Sequence, residues 1–264
     1  MALATPISRP ALRLAAGLGF IAVTLQALAG LTAAETESAA CAQRNFQQAQ
    51  ARYQQAPADT SAAWQFGRAC FDLAEFATNN AARASLAEQG IAACRLAAER
   101  NSALAPAHYY LAMNLGQLAR TKGLSALELV DQMEREFSGA RNLDEHLDWA
   151  GPDRNLGQLY LDAPTIVSIG SRTRAREHLR RAVELAPEYP ENRLNLIEAY
   201  MKWGERTRAS RELQMLEATW SAARTKFVGP AWAASWADWE ARLKKLKQKI
   251  GEDTKPLETP REKQ

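Results

Sequence analysis

The sequence predicts an all-α protein, a solenoid of about four helical hairpins with a C-terminal capping helix. Three observations support this fold class. Hydrophobic residues make up 47% of the 264 residues, while glycine (14) and proline (11) are scarce, which argues against a turn-rich β-sandwich or barrel. Part of the C-terminal half repeats after 34 residues. A tryptophan-rich stripe with helical spacing follows that repeat.

The overall charge and the cysteine content exclude two further classes. A formal net charge of +3 is too small for a nucleic-acid-binding surface, so we expect no nucleic-acid partner. Three cysteines are too few for a scaffold held together by disulfides. The composition therefore indicates a helical protein with an ordinary core.

Residues 1–34 have the pattern of a secretory signal peptide. Arg9 and Arg13 precede the nearly unbroken apolar stretch Leu14–Leu31, and small residues suitable for cleavage lie at 27–29 and 32–34. A retained membrane anchor is the alternative, although an apolar stretch of about 18 residues is short for a bilayer span. Later stretches are not apolar enough to cross a membrane. We therefore expect a periplasmic mature chain without a membrane span.

The 34-residue repeat lies in the C-terminal half of the chain. Ala209, in the second copy of the motif Gly-x-Arg-Thr-Arg-Ala, follows Ala175 in the first copy by 34 residues, and Leu213 follows Leu179 by the same distance. Helices that cross at about 8–10 Å favour alanine or glycine at the crossing. Gly157 and Ala175 meet this requirement, so each repeat is expected to be a pair of crossing helices.

The same pattern extends backward and defines a helical repeat domain over residues 41–228. A capping box, Ser125 with Glu128, marks one helix start, and Gly123 ends the helix before it. The β-branched run 165–169 is expected to be a loop between two helices. The predicted hairpins pair Phe66-Gly67 with Ser85–Arg100, Leu111-Ala112 with Ser125 to about Asp148, Leu156-Gly157 with Ala175–Ala182, and Leu196–Tyr200 with Ala209–Leu216.

A final helix is predicted over residues 229–250, and a disordered tail over 251–264. The helix carries one apolar stripe, which a solenoid end needs as a cap. A coiled-coil seam for a partner is the alternative, and a homo-oligomer is compatible with it. The stripe consists of Trp232, Trp236, Trp239, Leu243, Leu246 and Ile250.

These repeats resemble the tetratricopeptide repeat, a helix-turn-helix unit of 34 residues. The resemblance implies a concave groove lined by the first helix of each hairpin, which would hold a protein or peptide ligand. Projecting the repeat positions onto this chain gives the groove residues Trp64, Arg68, Tyr109, Met113, Arg154, Gln158, Leu194 and Glu198.

Motifs for catalysis and for cofactors are missing from the sequence. His108, His146 and His178 are not at metal-ligand spacing, and there is neither a phosphate-binding glycine loop nor a nucleophile motif. We therefore expect no catalytic residues, no metal and no cofactor, and predict that the protein is not an enzyme.

Cys70 and Cys94 lie on the two helices of the first predicted hairpin. Counting from a turn near 79–80 puts them at levels that differ by about 6 Å, which is marginal for a disulfide. Two alternatives stay open, a disulfide in an oxidising compartment or two buried thiols in the helical core.

Two functions follow from these patterns. The first is an exported interaction scaffold that binds a protein or peptide partner. The second rests on the order of elements from Tyr109 to Leu216, which resembles the T component of tripartite ATP-independent periplasmic (TRAP) transporters. That resemblance implies an accessory to solute uptake with a solute-binding partner protein. Cys41 does not directly follow the apolar segment, so the sequence lacks a convincing lipid-attachment site.

Overall fold

The structure, a computed structural model, describes residues 33–122, 126–165 and 167–252. No strand occurs within those ranges, which confirms the all-α prediction. The helices in them are α1 (Ala33–Gln55), α2 (Thr60–Ala74), α3 (Asn80–Arg100), α4 (Ala105–Ala119), α5 (Leu127–Leu143), α6 (Gly151–Asp162), α7 (Arg172–Leu185), α8 (Pro190–Lys202), α9 (Arg206–Lys226) and α10 (Ala233–Glu252).

Helices α2 to α9 form the four predicted antiparallel hairpins: α2 with α3, α4 with α5, α6 with α7, and α8 with α9. Small residues allow the helices of a pair to approach closely. A Cβ atom added to Gly67 would lie 2.1 Å from the Cys94 sulfur, and one added to Gly157 would lie 2.6 Å from Leu179 Cγ. The predicted solenoid architecture is confirmed.

The helix ends follow local sequence rules. Asp59, Asn79 and Ser171 precede α2, α3 and α7, and their side chains accept hydrogen bonds from backbone N–H groups of the first turn. Such caps satisfy donors that have no partner within the helix. Helices α4, α6 and α8 instead have a proline in the first turn, where its missing N–H is not needed.

Helix α1 was not predicted. Its buried residues Ala42, Phe46 and Ala49 recur every three or four positions and face α2, where Phe46 packs against Phe66 at a ring-centroid distance of 5.5 Å. Alanine and glutamine dominate this stretch, so its apolar stripe is weak in the sequence. Residues 1–32, which include most of the predicted signal peptide, lie outside the described residues.

The second helix of the second hairpin is shorter than predicted. It ends at Leu143 rather than near Asp148, because Asp144 has an extended backbone with φ of −155° and ψ of 98°. Asp148, Trp149 and Ala150 then adopt left-handed conformations, with φ of 50°, 53° and 61°. A left-handed residue cannot continue a right-handed helix. The proposed cap Ser125 and the stop at Gly123 lie outside the described residues.

Helix α10 caps the last hairpin by packing on α8 and α9, as predicted. Trp232, in the 3-10 turn Pro230–Trp232 that leads into the helix, is buried together with Trp236, Trp239 and Leu246. Helix α10 also contacts α1 at the other end of the chain. The predicted tail from residue 253 onward lies outside the described residues.

Cys70 and Cys94 are free, buried thiols in this structure. Burial raises the pKa of Cys70 to about 12 and the pKa of Cys94 well above its ordinary value. Both therefore stay protonated at neutral pH and act as small apolar side chains. Of the two alternatives, the structure has the buried thiols.

Two structural findings concern membranes and metals. Among the described helices, none combines the length and the apolar character that a bilayer crossing requires. Within the same residues, no cluster of three or more His, Cys, Asp or Glu side chains is placed to hold a metal ion.

Candidate functional site

The eight predicted groove residues do not line an open groove in this structure. Trp64 and Arg68 of α2 and Glu198 of α8 are half-buried. The other five are nine-tenths or more buried, with exposed fractions between 0% and 7%, so they cannot contact a ligand without a rearrangement. These five are Tyr109, Met113, Arg154, Gln158 and Leu194.

Arg154 is the centre of a buried polar network. It donates to Asp148 Oδ2 at 2.6 Å and to the Trp149 carbonyl at 3.2 Å, and the Tyr109 hydroxyl donates to the same Asp148 oxygen at 2.7 Å. Asn192 of α8 donates to the Trp149 carbonyl at 3.0 Å. These bonds hold the left-handed turn at 148–150, so Arg154 has a structural role here.

Glu198 is engaged by the capping helix. Arg242 of α10 donates from Nε and Nη2 to the two Glu198 carboxylate oxygens at 2.9 and 3.1 Å, and also to Asn195. A bidentate arginine–carboxylate pair fixes both side chains. The predicted groove face of α8 is therefore bonded to α10 rather than open at this end.

The buried Glu191 makes the stability of the fold depend on pH. Glu191 lies in the first turn of α8 and is buried, and its Oε2 accepts a hydrogen bond from the Tyr189 hydroxyl. Burial raises the pKa of Glu191 to about 7. An unfolded chain releases this proton near pH 4.5. Between these two pKa values the native state binds more protons than the unfolded chain, so the free energy of unfolding falls as the pH rises through this range.

We expect the free energy of unfolding of the wild-type protein to fall by about 2–3 kcal/mol relative to Glu191→Gln between pH 5 and pH 8. Urea titrations of both proteins at pH 5 and pH 8 measure this difference. Glutamine keeps the acceptor for Tyr189 and does not titrate. If the stability of the two proteins depended on pH equally, the raised pKa of Glu191 would be contradicted.

A groove lined by residues of α3, α4 and α5 offers an accessible surface. It consists of two adjoining cavities of about 320 and 300 Å³ between the second helices α3 and α5, and both cavities share Arg95, Leu115 and Gln132. We call it the α3–α5 groove. Its apolar lining comes from Ile91, Ala92, Ala98, Leu111, Leu115, Leu118 and Leu129, and its polar rims from Glu88, Arg95, Glu99, His108, Gln132, Arg135 and Glu136.

One rim of this groove is fixed by hydrogen bonds. His108 Nδ1 lies 2.7 Å from Glu136 Oε2, and His108 Nε2 lies 3.1 Å from the Ser102 carbonyl. The imidazole therefore ties α4 to α5 at the edge of the groove. Sequence reasoning missed this surface because it placed binding on the concave face alone. The apolar positions of α3, α4 and α5 are recognisable in the sequence, but the gap between those helices is not.

Comparison with known families adds an independent result. A family model described as tetratricopeptide repeat matches residues 170–219, which span α7, α8 and the first part of α9. The chain contains tetratricopeptide repeats. The match coincides with the 34-residue self-repeat, and the helical hairpins around it have the same arrangement.

A second family model, described as Regulator of microtubule dynamics protein 1-3, matches residues 27–134 of this repeat protein. That range includes α1 to α4 and the first half of α5, and hence most of the α3–α5 groove. No curated protein matches the chain. Neither family match is to a TRAP component, so that resemblance stays a prediction.

Proposed function

We propose that this repeat protein is an exported scaffold that holds a peptide segment of a protein partner in the α3–α5 groove. The observation that carries the proposal is the groove itself, an accessible surface with an apolar floor between two charged rims. Tetratricopeptide repeats are a protein-binding architecture, and no motif for catalysis accompanies them here. A non-enzymatic interaction role is the simplest function that fits.

The lining of the groove defines the kind of segment it would accept. The half-buried Leu118 and Leu129 supply apolar contacts along the floor, while Arg95 and Glu99 supply charges of both signs at the rim. An amphipathic helix or an extended peptide with apolar anchors fits such a surface. The paired signs favour a partner with mixed charge over a strongly acidic or basic one.

Export is supported by the sequence pattern of residues 1–34 alone. If the segment is a cleaved signal, mass spectrometry of the protein from the periplasm of a bacterial host gives an N-terminus within residues 30–35. An uncleaved chain in the membrane fraction supports the anchor alternative.

Site-specific photocrosslinking tests the groove. A photoreactive residue in place of Gln132, in the centre of the groove, is expected to capture a partner that the same residue in place of Met215 does not capture. Met215 is 49% exposed on α9 and lies outside the groove, so it is the matched control. Equal labelling at both positions would exclude a groove-specific partner.

A substitution in the groove provides the second readout. Leu129→Arg places a charge on the apolar floor and is expected to abolish the crosslink at position 132, while Met215→Arg leaves it unchanged. Circular dichroism of both variants checks that the fold is kept. If the crosslinked partner persists in Leu129→Arg at the wild-type yield, it does not use the apolar floor.

A further inference from the structure

A separate polar cavity of about 460 Å³ lies between the second and third hairpins, and we call it the α5–α7 cavity. Two ion pairs connect the second and third hairpins, and the second of them lies in the cavity lining. Glu134 of α5 pairs with Arg174 at 2.6 Å, and Glu145, just after α5, pairs with Arg181 at 2.8 Å. The lining consists of Arg141, Glu145, Asp153, Glu177, His178, Arg180, Arg181 and Glu184.

Asp153 and His178 form the buried floor of the cavity. The Asp153 side chain is 2% exposed, and His178 Nδ1–H donates to its Oδ1 at 2.7 Å. The imidazole stacks on the Tyr160 ring at a centroid distance of 5.4 Å. The carboxylate is therefore held in one orientation by a side chain that is itself packed in place.

The second oxygen of this carboxylate is an unused acceptor. Asp153 Oδ2 is buried and has no hydrogen-bond donor among the described residues. Buried carboxylate oxygens are rarely left without a donor, because the lost hydration costs more than a net hydrogen bond gains. A donor supplied by a ligand would remove that cost, once a side-chain movement in the cavity floor has exposed the oxygen.

Arg141 is the complementary unused donor. Arg180 and Arg181 are paired with Glu184 at 3.7 Å and Glu145 at 2.8 Å, whereas Arg141 has no ion-pair partner within 4.0 Å in the described part of the chain. Its guanidinium is half-buried in the cavity wall and presents the planar fork that carboxylates bind in bidentate fashion.

These two groups select the charge of the ligand. A simple anion could bind Arg141 but would face the Asp153 carboxylate and leave Oδ2 without a donor. A simple cation could bind Asp153 but would leave Arg141 unpaired. Only a molecule with both charges satisfies both groups, and the cavity volume falls within the range of small-molecule sites.

We propose that the α5–α7 cavity binds a small zwitterion, with its carboxylate on Arg141 and its ammonium group on Asp153 Oδ2. A free α-amino acid has this chemistry, and so does a short peptide with both termini free. The site is distinct from the α3–α5 groove, and a ligand here would bridge the second and third hairpins.

Binding to the full chain tests the proposal. Thermal shift with each standard α-amino acid, followed by calorimetry of the best one, is expected to reveal saturable binding. The N-acetylated derivative and the corresponding amine without the carboxylate are each expected to bind at least about tenfold more weakly, because each leaves one charged group unsatisfied. A dipeptide that binds more tightly than its amino acid, with the same dependence on Arg141, assigns the site to peptides.

Arg141→Gln is the decisive variant, because this side chain makes no ion pair whose loss would destabilise the fold. It is expected to weaken binding at least about tenfold, whereas Arg208→Gln, which removes an exposed pair with Glu205 outside the cavity, changes it less than about twofold. Absence of binding by any amino acid or dipeptide, equal binding of the blocked derivatives, or unchanged affinity of Arg141→Gln would each overturn the proposal. Crosslinking at Gln132 should be unaffected by Arg141→Gln, so the two sites fail independently.

Discussion

Trp239→Ala is expected to lower the free energy of unfolding by about 3–5 kcal/mol, the range for removing a large aromatic side chain from a core. Trp239 is 1% exposed and lies at the centre of an aromatic cluster. Its ring is 4.9 Å from that of Trp236, 5.4 Å from that of Tyr189, and 6.0 and 6.1 Å from those of Trp232 and Phe227. Alanine leaves a cavity that these rigid rings cannot fill, and α10 loses its ring contact with Tyr189, the residue just before α8.

Chemical denaturation followed by circular dichroism measures this change. Met215→Ala on the exposed face of α9 is the control, and it should shift stability by no more than about 0.5 kcal/mol. If Trp239→Ala instead leaves stability intact and dissociates an oligomer in gel filtration, the stripe is a partner seam rather than a cap.

Gly157→Ala is expected to destabilise the protein by about 1–3 kcal/mol, although alanine is the better helix former. An added Cβ would lie 2.6 Å from Leu179 Cγ and 3.0 Å from the Leu179 backbone nitrogen. The Leu179 side chain could rotate away from the added Cβ, but the Leu179 backbone could move only if the whole of α7 moved with it. The loss of packing therefore exceeds the gain in helix propensity.

Gly139→Ala is the matched control, because it makes the same substitution within a helix of the neighbouring hairpin. Its added Cβ meets only His108 at 3.8 Å, an ordinary contact. Helix propensity then dominates, and stability should rise by about 0.5–1 kcal/mol. Thermal unfolding of the two variants should thus give shifts in melting temperature of opposite sign. A shift of the same sign in both would contradict the close crossing of α6 and α7.

The parts of the fold that could be predicted from the sequence are those with a strong local period. The motif that ends at Ala175 and again at Ala209 marks the same position in two hairpins, and the tryptophans from Trp232 to Trp239 define one face of a helix. Helix α1 lacks such a signal, because alanine and glutamine give little contrast between its faces. Helix α5 is shorter than predicted because the backbone becomes extended at Asp144, and no local pattern indicates that residue as an end. The left-handed turn that follows at 148–150 is held by Arg154, a contact made only in the folded chain.

The candidate site could be predicted less well, for a similar reason. Arg154 and Glu198 lie on the first helices of their hairpins, as the repeat pattern predicts, yet both side chains are engaged by partners distant in sequence. These partners are Asn192 for Arg154 and Arg242 for Glu198. Whether a face is covered depends on such long-range pairs, which no local pattern encodes. The α3–α5 groove likewise depends on the spacing of helices from two hairpins.

The contact between α1 and α10 changes how the whole chain should unfold. In an ordinary repeat array each unit touches only its neighbours, so the ends fray first and unfolding spreads inward. Here α1 and α10, at the two ends of the described residues, contact each other, so we expect detachment of one to loosen the other. Hydrogen exchange should therefore show similar protection in both terminal helices, and deleting α10 should increase exchange in α1, almost two hundred residues away in sequence.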